Sequence, residues 1–314
     1  MKFTLRQLEY FIAAGETGSI AAASQRAHIS APSISAAIAH LEQELAVQLF
    51  IRRHAQGLSL TPAGRQLLRE AKELIKQADG LYAAAAAPEQ LRGTLNVGCL
   101  VTLAPMVMPE LAFSFMKAFP GVQLHQSEHH QEGLLEGLRR AAIDVAVTYD
   151  LQISQDIEFA PLVSLPPHAL FGAADPLHRA PAVSLRELAE RRMILLDLPI
   201  SREYFLGLFM KEKLEPHVWW RSPHQEVVRT MVANGYGYAL FNARPKAGIA
   251  LDGRRLYRVR LAGEHPPAVL GSATLRQLRK SRLVAAFQAH CRELVSQGCI
   301  PGMAAAEAQR RRRR

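Results

Sequence analysis

Cysteine is scarce: Cys99, Cys291 and Cys299 are the only three in 314 residues. Three are too few for a disulfide framework, and none forms a CxxC pair, so neither a disulfide-stapled module nor a thiol redox motif is expected. No apolar run approaches the roughly 18 residues that cross a bilayer. The opening MKFTLRQLEYF lacks signal-peptide anatomy, because Glu9 interrupts its apolar stretch. A cytoplasmic protein, with no membrane partner, is expected. Phosphate-cradling and dinucleotide glycine patterns are missing, as is a GxSxG elbow. With no nucleophile–base pair in view, an enzyme is not expected. His129 and His130 follow Glu128, but no histidine at helical spacing and no cysteine completes a metal set. Neither metal nor cofactor is expected.

Positive charge is plentiful, yet its distribution names no partner. The formal net charge is +10, of which the terminal run Arg310 to Arg314 supplies five. Residues 1–87 carry nine Lys or Arg against seven Asp or Glu. A basic tail (300–314 here, expected to be disordered) is ordinarily solvated and adds non-specific phosphate contact at most. The length suits two or three domains. A composition of 49% hydrophobic and 21% charged residues is that of a globular protein.

Pattern is more informative. Leu5, Leu8, Phe11 and Ile12 share one face of an amphipathic first helix, which Gly15 and Gly18 break. Ser19 is placed to cap a short alanine-rich second helix, Ile20 to Arg26. His28 and Ile29 make a turn, Ser30 is placed to cap a third helix, and Pro32 sits in its first turn, where a missing N–H costs nothing. On that helix Ile34, Ile38, Leu41 and Leu45 form an inward stripe. The outer face is left almost bare, with Ala31, Ser33, Ser35, Ala36, Ala37, Ala39 and His40. Two apolar helices joined by a tight turn form a helix-turn-helix, whose second helix docks in the major groove of DNA. LFIRRHAQGLSL then reads as a hairpin wing with Arg52, Arg53 and His54 at its tip.

The order QLEYF, GSIAAAS, SAPSISAAIAHLE, LFIRR and LSLTPAG over residues 4–64 resembles the winged helix-turn-helix of LysR-type transcriptional regulators. That family has Gln where this chain has Ala31, and long polar residues at Ala36 and Ala37, so this chain departs from the family's direct base readout. Small side chains let the helix seat deeply and touch thymine methyl groups, and the Ser33 and Ser35 hydroxyls donate or accept. The helix N-terminus at Ser30 suits a phosphate. Arg52 and Arg53 suit the adjacent minor groove, where they read its width. The expected DNA contacts are Ser30, Ala31, Pro32, Ser33, Ser35, Ala36, His40, Arg52 and Arg53. The alternatives are plain helix-start roles for Ser33 and Ser35 and a solvated pair for the two arginines.

Thr61-Pro62 opens a long helix on which Leu67, Leu74 and Leu81, Ala71, Ala78 and Ala85, and Leu68, Ile75 and Tyr82 each recur every seven residues. Such a seam implies pairing with another helix. Beyond Pro88, strands alternate with helices: TLNVGCL, VQLHQSE and IDVAVTY, then from about Leu162 PHALFGA, MILLDL, HVWWRS and YGYALFN, and finally PAVLGSATL. This order predicts parallel sheets with covering helices. GTLNVG, FPGVQL, IDVA and VANGYGYAL make residues 91–297 similar to the periplasmic-binding-protein-like effector domain of the same family.

The resulting fold class is α/β multidomain: a winged helix-turn-helix (1–61), a linker helix (62–87) and a two-lobed, doubly wound effector domain. Lobe 1 is 88–161 plus 266–299, and lobe 2 is 162–265. The resemblance implies a homodimer through the linker helix, a homotetramer on an interrupted-dyad double-stranded operator, and a small effector in the interlobe cleft. Ligands of open sheets bind beyond the carboxyl ends of strands. That rule selects Cys99, Leu100, Val101, Thr102, Glu128, His129, Tyr149, Ser201, Arg202, His224 and Phe241, with Tyr149, Tyr204 and Phe241 placed to close over an apolar body. Ser201 and Arg202 at a helix start suit a carboxylate-like anion. The alternatives are an interlobe salt bridge for Arg202 and helix capping for Thr102. A ligand-responsive transcription factor leads over an enzyme on a binding-protein fold and over a solute-binding protein.

Overall fold

The computed structural model describes residues 3–53, 57–85, 91–277, 280–296 and 298. They divide into two compact units, Met1–Gly93 with Arg139–Ala142, and Thr94–Leu138 with Ile143–Arg314.

The first unit runs α1 (Leu5–Thr17), α2 (Ile20–Ala27), α3 (Ala31–Leu45), β1 (Phe50–Arg53), β2 (Gly57–Leu60) and α4 (Pro62–Ala85). Each short helix has a defined start and stop. Thr4 and Gln7 form a capping box on α1, and Gly18 ends it at φ 63°, a conformation glycine adopts without a Cβ penalty. Ser19 caps α2, and Ser30 caps α3 with Pro32 in its first turn. The core is Leu8, Phe11, Ala14, Ala23, Ile34, Ile38, Leu41, Leu49 and Phe50, joined by Ala71 of α4. The expected inward stripe holds for Ile34, Ile38 and Leu41. Leu45 is only half-buried, because α3 ends there with Ala46 at φ 51°. Ala37, expected outside, is buried at 6% exposure. It completes an i, i+3, i+4, i+7 set from Ile34.

β1 and β2 pair antiparallel, with Phe50 opposite Leu60 and Arg53 opposite Gly57. This is the expected wing, although His54 lies outside the described residues. Glu42 of α3 accepts the Leu49 and Phe50 N–H groups at 2.7 and 3.1 Å, which fixes where the wing leaves the helix. Glu16 of α1 pairs with Arg26 at 2.6 Å and Lys72 at 2.7 Å, so one carboxylate ties α1 to α2 and α4. Burial alone would raise its pKa; the two cations outweigh that and hold it below the usual carboxylate range. Along α4, Ala71 and the half-buried Leu67, Leu68 and Ile75 pack against this unit's own core, whereas Leu74 stays 39% exposed. The side chains of Leu81, Tyr82 and Ala85 lie outside the described residues.

The second unit holds two lobes. In the first, β3 (Arg92–Leu100), β4 (Gly121–His129), β5 (Val145–Tyr149), β6 (Ile157–Leu165) and β13 (Ala268–Leu275) form a sheet of order β4-β3-β5-β13-β6. Its helices are α5 (Ala104–Ala118), α6 (Gln131–Arg139) and α10 (Arg282–Ser296). The second lobe has β7 (His168–Gly172), β8 (Ala182–Val183), β11 (Ala239–Phe241) and β12 (Leu256–Leu261) in the order β11-β7-β12-β8. Beside them β9 (Met193–Leu196) pairs in parallel with β10 (Val218–Ser222), and α7 (Leu185–Ala189), α8 (Ser201–Lys211) and α9 (Gln225–Ala233) cover the strands.

The expectation of parallel sheets needs correction: both are mixed. β3 and β5 run parallel, but β13 is antiparallel to β5 and β6, and β7 is antiparallel to β11 and β12. In the first sheet the antiparallel strand is β13; its partner β6 carries Pro161 at a register shift, and proline in mid-strand disguises a ladder. β6 stays paired with β13 through Leu165, past residue 161 where the sequence suggested lobe 1 would end.

Candidate nucleic-acid interface and effector pocket

The exposed line of α3 is Pro32, Ala36, Ala39 and Gln43, spaced i, i+4, i+7 and i+11. Ala31, Ser33, Ser35 and His40 flank it, half-buried. Gln43 was not among the sequence candidates; its signal was the same spacing counted from Pro32. The face is therefore small and flat, with one long amide at its far end. Ser30 is occupied locally: its Oγ accepts the Ser33 N–H at 3.4 Å and lies 2.7 Å from Ser33 Oγ. Both hydroxyls thus belong first to the helix cap. The backbone of Arg52 and Arg53 lies in β1, at the end of the hairpin nearest its turn.

In the second unit a pocket opens between the lobes, about 360 Å³ of empty space counted out to solvent. Thr102, Tyr149 and Leu151 line it from the first lobe. Leu196, Ser201, Tyr204, Phe205, Gln225, Phe241, Asn242 and Ala243 line it from the second. The structure thus brings together Thr102, Tyr149, Ser201, Tyr204 and Phe241 of the sequence candidates. Cys99 and Leu100 are buried in β3, short of its opening. Val101 is 39% exposed but outside the lining. Glu128 and His129 lie exposed at the end of β4, and Glu128 accepts from Gln126 at 2.9 Å. His224 is exposed at the start of α9, its N–H given to Ser222 Oγ at 3.2 Å. Arg202 stands beside the pocket with its guanidinium already engaged, by Asp197 at 2.8 Å and Glu203 at 2.6 Å. Those two bonds raise its pKa further.

A polar scaffold supports the lining. Gln131, 2% exposed, donates to the Tyr149 and Leu151 carbonyls at 3.0 and 2.9 Å and accepts from Thr148 Oγ1. Asn242 donates to the Leu165 carbonyl at 2.8 Å and the Tyr204 hydroxyl at 3.0 Å, and that hydroxyl donates to the Pro266 carbonyl at 2.8 Å. Tyr204 and Asn242 thereby clamp the two chain crossings between lobes, at the end of β6 and the approach to β13. Burial pushes the Tyr204 phenol up to about 12 and also raises Tyr149, so both are neutral donors at physiological pH. Sequence reasoning passed over Gln131; its one signal was an amide opening a helix whose buried face is otherwise Leu134, Leu135 and Leu138. Charge enters the pocket by another route. The N-termini of α5, just after Thr102, and of α9, at Gln225, have no side-chain cap, so each presents partial positive charge.

Comparison with known proteins decides what these two sites belong to. Residues 5–65 match the bacterial regulatory helix-turn-helix of the lysR family, and residues 88–296 match the LysR substrate binding domain. The chain belongs to the LysR family of transcriptional regulators. It is a DNA-binding regulator with an effector-binding domain, not an enzyme. Among solved structures, this LysR protein is similar to HinK, a LysR family transcriptional regulator from Pseudomonas aeruginosa: 37% identity, 93% of this chain and 98% of that one, TM-score 0.62. Among curated proteins it is 28% identical over 249 residues to the HTH-type regulator YvbU of Bacillus subtilis, covering 79% of this chain and 84% of that one. It is 27% identical over 243 residues to the hydrogen peroxide-inducible genes activator of Pectobacterium carotovorum, covering 76% and 80%. The described cysteines of this LysR protein are poor peroxide targets. Cys99 and Cys291 are buried, and burial raises both thiols, Cys291 to about 12. No described helix is long and apolar enough to cross a membrane.

Proposed function

We propose that this regulator grips double-stranded DNA with the Pro32–Ala36–Ala39–Gln43 face of α3 in the major groove and Arg52 and Arg53 of β1 toward the adjacent minor groove. Pairing along α4, for which Leu74 is the exposed apolar member, sets two heads on one dyad, and a dimer of dimers spans an interrupted operator. Because alanine methyls make few hydrogen bonds, the wing carries much of the specificity through groove width. Arg53→Ala is expected to weaken operator binding, read by fluorescence anisotropy, at least as much as Ser35→Ala. Unchanged affinity would contradict a role for the wing.

The effector is a small organic anion of carboxylate type, bound in the interlobe pocket. The carrying observation is the meeting of Thr102, Ser201 and two uncapped helix ends with an apolar wall of Leu196, Phe205 and Phe241. Hydroxyls and backbone N–H groups hold the acid, and Tyr149 and Tyr204 close over its body. Arg202, neutralised by Asp197 and Glu203, steadies the start of α8 instead of contacting the ligand. Ligand that binds the closed lobes better than the open ones shifts the pair of heads, as any such switch requires.

Isothermal titration of the full chain against small carboxylates and their matched amides tests this. Acids are expected to bind, and Thr102→Val to weaken them about 10- to 100-fold, the worth of one hydrogen bond to a charged group. Amides binding as tightly as acids would overturn the anionic assignment.

A further inference from the structure

The chain passes between the two lobes twice, and both crossings carry a proline pair: Pro166-Pro167 between β6 and β7, and Pro266-Pro267 between β12 and β13. Proline has no N–H and fixes φ, so each crossing is stiff and offers its neighbours carbonyl groups to hold. The second lobe holds one carbonyl at each. Asn242, 5% exposed, donates to the Leu165 carbonyl at 2.8 Å, and the Tyr204 hydroxyl donates to the Pro266 carbonyl at 2.8 Å. A third bond, from Asn242 to the Tyr204 oxygen at 3.0 Å, joins the two into one hydrogen-bonded chain.

The direction of every bond in it is fixed. Both ends are carbonyls, which only accept, so the amide gives two hydrogens and the phenol gives its one. Burial keeps the phenol protonated, with its pKa pushed up to about 12. Removing either side chain leaves a carbonyl at a crossing unpaired, which costs more than the net worth of a bond.

Tyr204 and Asn242 are also walls of the interlobe pocket. Although about 360 Å³ lies free of atoms there, most of it is open mouth or gaps too narrow to fill, with room for about one or two waters. An organic acid is several times larger and enters only when the lobes part. Parting turns the second lobe about the two crossings, which is the motion the Asn242–Tyr204 bonds oppose.

We propose that Leu165, Asn242, Tyr204 and Pro266 form a hinge lock, which holds the lobes at the angle seen here and breaks before anything larger than water enters the cleft. It rests on the reading of the cleft as the effector site only for what it admits; the lock itself belongs to the ligand-free protein. A ligand that then wedges against Tyr204 keeps the lock open, which ties occupancy to lobe angle.

The test contains no effector, so failure of the lock and failure of the effector assignment are distinguishable. Ser201, 9% exposed and in the pocket wall, is replaced by Cys in the full chain, with Cys299→Ser to remove a background thiol. Its alkylation by iodoacetamide at pH 8 then counts how often the lobes part, as exchange rates count local openings. With the lock intact, Ser201→Cys should react at least tenfold slower than free cysteine. Tyr204→Phe and Asn242→Asp, each added to that background, are expected to raise the rate at least tenfold. Ionised Asp keeps the shape of Asn and gives no hydrogen. The buried Cys99 and Cys291 should stay unreactive, and the amides of β7 and β11 should keep their exchange rates, as when two lobes part and neither comes apart. A rate near that of free cysteine with the lock intact, or one unchanged by both variants, would overturn the lock. So would a rise matched at Cys99 or in β7 and β11 exchange, because loss of fold would then account for it.

Discussion

Replacing Gly64 with alanine is expected to destabilise the amino-terminal unit by about 3 kcal/mol, at the upper end of what overpacking costs. A Cβ on Gly64 would lie 2.1 Å from the Leu49 carbonyl oxygen, a backbone atom that cannot swing aside. The same carbonyl accepts the Thr61 N–H at 3.0 Å and faces Thr61 Oγ1, so it is held where α4 begins. Leu49 in turn donates to Glu42, so a shift here is passed to α3 and the wing. Hydrogen exchange in the full chain is the measurement. Protected amides of residues 3–85 should exchange about 100-fold faster, the equivalent of about 3 kcal/mol, while those of the effector domain keep their rates. Unchanged protection in α1 to α3 would mean that the close approach has no structural weight.

Ala36→Glu is expected to cut operator affinity at least 100-fold without changing the thermal midpoint. Ala36 is exposed, and Glu is a good helix former, so neither packing nor propensity opposes it. In the groove the same side chain brings a negative charge between two rows of phosphates and props the helix out by several atoms. Ala37→Glu, one residue on, is expected to do the opposite in mechanism: it forces a charge into the core beside Ile34 and Leu41, and the unit unfolds. Adjacent alanines with the same substitution thus separate groove contact from folding. If both variants bound DNA with wild-type affinity, α3 would not be the recognition element.

Much of the head was legible because periodicity and caps agree: Ser19 and Ser30 mark helix starts, and Ile34, Ile38 and Leu41 keep one face. Ala37 was misassigned because an alanine carries no hydrophobic signal strong enough to take a side. Leu45 continued the period, but the helix stops beneath it. In the effector domain the strand-end rule found Thr102, Tyr149, Ser201 and Phe241. It placed Cys99 and Leu100 one or two residues too generously, since a strand's last residues still belong to the core. Arg202 looked like a ligand cation until Asp197 and Glu203 were seen to hold it, and no periodicity announces such a partnership.

The most direct test of the central claim, that the bare face of α3 enters the major groove, is dimethyl sulfate footprinting on DNA upstream of the protein's own coding sequence. Guanine N7 lies in the major groove and adenine N3 in the minor. Wild-type protein is expected to protect guanine N7 in two blocks related by a dyad and spaced by whole turns of the helix, and Ala36→Glu to abolish both. Specific binding with no N7 protection, or protection that survives Ala36→Glu, would contradict it.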